Sequence, residues 1–263
     1  MSGDFAEATA ITAAGPGRFL ANVPTGWEQG RGAYGGLVLG LLGRALVASE
    51  PERPLRTMMG EIPAPVVAGP AEIHVTTTRR GTKLTSLDAR LLQEGETRAR
   101  ATGLLGLARA PDVRFPSMTP PALPADLEAL PVVPMAPPLG PTFTQHVTMR
   151  CAEGQPLSRA GDAAIVGSVA FRECSSPSYG APELTGLVDV FWPALLVTES
   201  RMRPMATIAF TAEYFGDAFA PGDLAFRSRA VAGHEGYVSE VRELWTLDGH
   251  LAALNQQTFC VIR

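Results

Sequence analysis

The stretch GRGAYGGLVLGLLGRAL, residues 30–46, places Gly30-x-Gly32-x-x-Gly35 directly ahead of an apolar run. That spacing is used by dinucleotide-binding turns, which need a buried strand running straight into the first glycine and a helix opening from the last. Here the nearest strand candidate, FLANV at 19–23, is cut off by Pro24, Gly26 and Trp27 before Gly30 arrives. Glu52 stands where a ribose-binding acid would, but it lies in SEPERP, a turn sequence with no parallel strand before it. The dinucleotide reading fails on this context. The segment GGLVLGLLGRALVA instead predicts a helix that is apolar on nearly every face, hence buried on all sides. Small residues at its head let strands cross closely, and the free amides there favour an anion or a carbonyl oxygen.

Outward from this helix, the chain divides into two. Ten of its 23 prolines fall between Ala110 and Pro141. Proline removes a backbone donor and fixes φ, so this segment is neither a central strand nor a long helix. It reads as an extended connection with one short helical turn at PADLEAL. The resulting organisation is an N-terminal unit at 1–110, a proline-rich linker at 111–141 and a C-terminal unit at 142–263.

The two units end alike. Residues 69–109 and 222–263 each start at a glycine, run through strand-like alternation, and turn at Gly81 or at Gly233/Gly236. Each then has a tight turn, Glu94-Gly95 or Asp248-Gly249, where glycine supplies positive φ. Arg109 and Arg263 stand at the same distance past those turns, so the pattern reads as an internal duplication. The second unit's helix is expected within LVDVFWPALLVTES, with Pro193 in its first turn and Asp189 at or just before its start.

Composition narrows the function. The chain has 263 residues, 46% of them hydrophobic and 18% charged, ordinary for a globular protein. A net charge of −4 gives no basic face for nucleic acid. The longest apolar stretch, Leu37–Ala48, carries Arg44 and is too short to span a membrane. The first residues, MSGDFAEATA, lack the basic end and apolar core of a signal peptide. Cys151, Cys174 and Cys260 are dispersed, which fits reduced thiols in a cytoplasmic protein. His74, His146, His234 and His250 have no metal-ligand spacing, and no Gly-x-Ser-x-Gly elbow occurs. Neither a metal nor another cofactor is expected.

A helix followed by a curled antiparallel sheet, used twice, resembles the double hotdog fold, an α+β architecture. The segments YGGLVLGLLGRAL, RRGTKLTSLDARLLQEGE, IVGSVAFRE, LVDVFWPALL, MATIAFTAEY and QQTFCVIR are, in that order, similar to the acyl-CoA thioesterase II-like family. The resemblance implies hydrolysis of acyl-CoA to free acid and CoA. It further implies a water held by an Asp at the second helix, a Thr on the next strand and a Gln near the C-terminus. Position by position these are Asp189, Thr207 and Gln257, with Gln256 as the alternative amide. Leu37, Ala209 and Phe210 stand where the family often has polar residues.

The residue types suit the chemistry. Thioester hydrolysis needs an acceptor for water's proton and donors for the oxygen that becomes negative. A carboxylate supplies the first, and a helix N-terminus beside Asp189 favours its ionised form. Thr and Gln each donate and accept, so they fix the water's orientation. Gly35 and Gly36 are the candidate backbone donors toward substrate. By strand alternation Thr207 is expected to share a face with Ala209 and Thr211, opposite Ile208, Phe210 and Tyr214. Phe191, Trp192 and Phe210 are expected in the core. At the position of Gln257 the first unit has Gly103, so only the second unit is expected to hold a site. An acyl-CoA hydratase or dehydratase and a non-catalytic acyl-CoA-binding protein are the alternative functions. Two units in one chain mimic the usual hotdog dimer, and further assembly into a homo-oligomer is expected.

Overall fold

The structure, a computed structural model, describes residues 3–110, 113, 118–135 and 137–262. The first half forms strands β1 (Ile11–Ala13), β2 (Arg18–Val23), a small ribbon of β3 (Glu28–Gln29) and β4 (Gly32–Ala33), then β5 (Leu55–Glu61), β6 (Gly69–Arg80), β7 (Leu84–Gln93) and β8 (Glu96–Gly106). The second half forms β9 (Val147–Glu153), β10 (Ala164–Phe171), β11 (Met205–Tyr214), β12 (Leu224–His234), β13 (Tyr237–Trp245) and β14 (Leu251–Val261). The α-helices are α1 (Phe5–Ala8), α2 (Gly35–Ser49), α3 (Ala181–Val188) and α4 (Leu195–Thr198).

Apart from the ribbon, the described strands join one antiparallel sheet in the order β1-β2-β6-β7-β8-β5-β11-β14-β13-β12-β10-β9. From either edge inward the succession is the same: two strands, a three-strand meander, and the strand preceding that meander in sequence. The duplication read from the turns is thus written into the sheet, with β5 and β11 pairing at its centre through Phe210↔Gly60 and Thr211↔Met59. The fold is the double hotdog. The meander turns Glu94-Gly95 and Glu235-Gly236 have consecutive positive φ, 53° and 79°, then 50° and 84°, the twist a two-residue hairpin needs. Arg263, the last residue of the duplicated pattern, lies outside the described residues. Within 118–135 a 3-10 turn forms at Leu127–Ala129, and Val133 donates its amide to Met149 of β9.

The α2 helix is buried as its all-round apolarity required, with Leu37, Val38, Leu41, Leu42, Ala45 and Leu46 inaccessible. Its glycines serve helix–helix contact. A Cβ on Gly40 would lie 3.0 Å from the Phe5 ring and 3.4 Å from the Pro182 carbonyl, so α3 crosses there at close range. Gly30-x-Gly32-x-x-Gly35 shapes the β3–β4 turn, where Gly30 has φ 69°, and the entry to α2.

The second helix departs from expectation. It spans Ala181–Val188 and ends at Asp189, instead of starting there, and Pro182 rather than Pro193 occupies its first turn. Glu183, the capping-box residue at the start of this helix, lands its carboxylate on the side that meets Arg44 of α2. It is only 3% exposed, yet it is satisfied by Arg44 at 2.6 Å, Ser176 at 2.6 Å and the Gly180 amide at 3.0 Å. Phe191, Trp192 and Phe210 are buried, and Phe191 stacks on Phe226 at 4.4 Å.

Candidate active site

Asp189, Thr207 and Gln257 meet. Gln257 Nε2 donates to Asp189 Oδ1 at 2.8 Å, and Thr207 Oγ1 donates to Gln257 Oε1 at 3.1 Å. The chain of donors points one way, from hydroxyl to carboxamide to carboxylate. Gln257 lies on the inner face of β14 in register with Phe210 of β11 and Glu240 of β13. Gln256 faces the opposite side, is exposed, and approaches Ser239 at 3.4 Å.

Thr207 reaches this face through an irregularity. Simple alternation would place it opposite Phe210. A bulge between Thr207 and Ala209 sets Thr207 against Phe259 while Phe210 pairs with Gln257, so the expected face assignment is corrected. Two residues rather than one separate Thr207 from Phe210, and both point inward. Ile208 and Ala209 bulge out and are exposed. At the position that matches Gln257, the first half is apolar: a Cβ on Gly103 would lie 2.8 Å from Leu46 and 3.0 Å from Leu55.

Asp189 caps the C-terminal end of α3, where the helix dipole disfavours an anion. The expected aid from its own helix start is therefore corrected; another helix provides it. The N-terminus of α2 is brought to Asp189, where the Gly36 amide favours the ionised carboxylate. Gly35 packs against it too, since a Cβ there would be 2.8 Å from Asp189 Oδ2. Leu37 and Val38 donate to the Tyr34 carbonyl, leaving the Gly35 amide, first in the helix, to be satisfied from outside it. The first half thus supplies backbone to a cluster whose side chains come from the second.

Three further residues complete the cluster, and none was singled out from the sequence. Arg242 Nη1 lies 3.6 Å from Asp189 Oδ1. Glu240 holds Arg242 Nε at 2.9 Å. The Tyr34 phenol donates to the Gly186 carbonyl, and its ring stacks on Phe143 at 3.9 Å. The signal for the charged pair was present: in YVSEVRELW, Glu240 and Arg242 occupy the phase of Val238 and Leu244, the buried face of β13. Burial raises the Asp189 pKa above the ordinary aspartate value; Arg242, Gln257 and Gly36 pull it down, and Glu240 adds to the rise. Burial and the neighbouring Asp189 charge push the Tyr34 phenol up, keeping it neutral.

The Asp189 side chain is 9% exposed. Thr207 is half-buried beside the exposed Ile208, and Ile62 lies against Gly35. Clefts of about 480 and 550 Å³ open along β2 in the first half, and their linings contain none of these residues.

In sequence, residues 23–106 match the acyl-CoA thioesterase N-terminal domain and residues 124–261 match the acyl-CoA thioesterase C-terminal domain. No curated protein matches the chain. Among solved structures, a hot dog fold protein of unknown function from Alicyclobacillus acidocaldarius superposes with a TM-score of 0.87 at 23% identity, covering 98% of each chain. The tesB protein of Mycobacterium avium subs paratuberculosis gives 0.81 at 15% identity, covering 99% of each. An acyl-CoA thioesterase II, TesB2, from Mycobacterium marinum gives 0.76 at 15% identity, covering 98% of this chain and 96% of that one. At these identities the likeness concerns the fold.

Proposed function

The chain belongs to the acyl-CoA thioesterase family, and we propose that it hydrolyses acyl-CoA thioesters to the free acid and CoA, with Asp189, Thr207 and Gln257 holding the water. The observation that carries this reading is the run of hydrogen bonds Thr207→Gln257→Asp189. Thr207 spends its proton on Gln257, so its oxygen is left as an acceptor. Asp189 is an acceptor as well. A water that donates one proton to each turns a lone pair outward, toward the thioester carbonyl.

As the lone pair attacks, Asp189 takes the proton and the carbonyl oxygen becomes negative. We assign the Gly35 amide, at the positive end of α2, the role of donor to that oxygen. The tetrahedral intermediate then expels the CoA thiolate, which needs little assistance because thiols are acidic. Burial raises the Asp189 pKa, which makes it a better base than an exposed aspartate. We assign the reacting side chains to the unit at 142–263, with 1–110 contributing the α2 terminus and 111–141 serving as linker.

The test is release of free thiol from a panel of acyl-CoAs of graded chain length. Steady release from at least one, above the uncatalysed rate, is expected. Loss of enoyl absorbance without thiol release would instead mark a hydratase. Ligand-induced stabilisation with neither signal would mark a binding protein.

A further inference from the structure

β13 places Glu240 and Arg242 two residues apart, so both project from its inner face. Glu240 is 0% exposed and Arg242 1%. Charges so deep must be paired, and Arg242 Nε meets Glu240 Oε1 at 2.9 Å. The rest of their bonding reaches the segment that carries Asp189. Arg242 Nη1 donates to the carbonyl of Val188, the residue before it, at 3.2 Å. Glu240 Oε2 accepts from the amide of Ala194, beyond it, at 2.7 Å. Between these anchors the chain leaves α3 and passes Pro193 with no helix or strand of its own.

A buried ion pair adds little stability over well-packed apolar side chains. An apolar pair, however, could neither anchor two backbone groups nor set the charge beside Asp189. We propose that Glu240 and Arg242 are positioning residues for the hydrolysis, clamping the chain on both sides of Asp189 and setting its charge from opposite directions. Arg242 favours the ionised carboxylate and Glu240 opposes it. The other groups facing Asp189 include the Tyr34 phenol, the Gly35 and Gly36 backbone and the Gln257 carboxamide, none charged at neutral pH. The inference rests on Asp189 acting as the base.

The test is the pH profile of kcat/KM for thiol release by the full chain. In Arg242→Gln the attracting charge is gone, so the acidic limb moves to higher pH by about one unit or more, and the rate at neutral pH falls at least about tenfold. In Glu240→Gln the single remaining oxygen can accept from Ala194 or from Arg242 Nε but not from both, while the opposing charge is gone, so the limb moves to lower pH. Arg242→Lys keeps the charge and holds the limb near its original place. A purely structural role would lower all the rates without moving the limb in opposite directions. Should Arg242→Gln not fold, Glu240→Gln and Arg242→Lys still decide the matter. Limbs that stay put in Glu240→Gln, or move upward in it, overturn the inference when Asp189→Asn is inactive. If Asp189→Asn retains activity, the base assignment itself has failed.

Discussion

Replacing Asp189 by Asn separates activity from stability, because the same burial bears on both. Asparagine keeps the shape, and its oxygen still accepts from Gln257 Nε2, 2.8 Å away. What it loses is the ability to take a proton. Removing a general base costs about 10²–10⁴ in rate, or about 3–5 kcal/mol of transition-state stabilisation. Stability should move the other way. The folded-state pKa of Asp189 is raised above 3.8, chiefly by burial. A carboxyl so raised contributes stability that is fully present below its unfolded pKa and is lost as pH rises through the folded value. At neutral pH the ionised group therefore weakens the fold, and every tenfold weakening of the acid on folding corresponds to about 1.36 kcal/mol. The neutral asparagine removes that cost, and each kcal/mol regained raises the melting temperature by about 2–4 °C in a chain of this size. Arg242 keeps Glu240 as partner. Thiol-release kinetics and thermal melts at pH 7.5 and pH 5 provide the measurement. The expected result is an inactive protein that melts above the parent at pH 7.5, with the gap narrowing as the pH falls through the folded-state pKa toward 3.8. A kcat/KM within threefold of the parent would refute the base assignment. A lower melting temperature at pH 7.5 would refute the argument from burial.

Thr207→Val leaves Gln257 Oε1 without its donor and takes away an acceptor for water, so kcat should fall roughly five- to hundredfold, with Thr207→Ser restoring most of it. Gln257→Ala should impair turnover to a similar degree, while Gln256→Ala, on the outer face, should leave thiol release unchanged; the reverse order would contradict the assigned register. In Gly36→Ala the new methyl group would collide with the Tyr34 hydroxyl, and the forced displacement should cost about 1–3 kcal/mol, read as a lower melting temperature. The acidic limb of kcat/KM should lie above 3.8, the ordinary aspartate value, because the reactive form is ionised and burial raises its pKa. A limb at or below that value would place the titrating group elsewhere.

Much of the architecture was legible in the sequence because it is written locally. Turn glycines with positive φ and alternating strands are short-range signals, and their repetition before Arg109 and again toward the C-terminus showed two copies of one unit. The all-apolar run from Gly35 showed a helix with no face to solvent. The second helix was misplaced although its start is marked locally, by Pro182 in the first turn and Glu183 reaching back to the Gly180 amide; the distant fact is that Arg44 of α2 pairs with that carboxylate and lets it be buried.

The site divides the same way. Its residue types and their order along the chain come from sequence through the family resemblance. Their meeting is a tertiary fact. No pattern within MATIAFTAEY announces the bulge that turns Thr207 inward, since a register shift is decided by the partner strand. Register alone distinguishes Gln257 from Gln256. Nothing near Asp189 in the chain tells that its favourable amide belongs to Gly36, more than 150 residues earlier. Sequence determined what each element is; only the packing of distant elements decided which charges and donors surround the carboxylate, because electrostatic environment depends on distance in space and not along the chain.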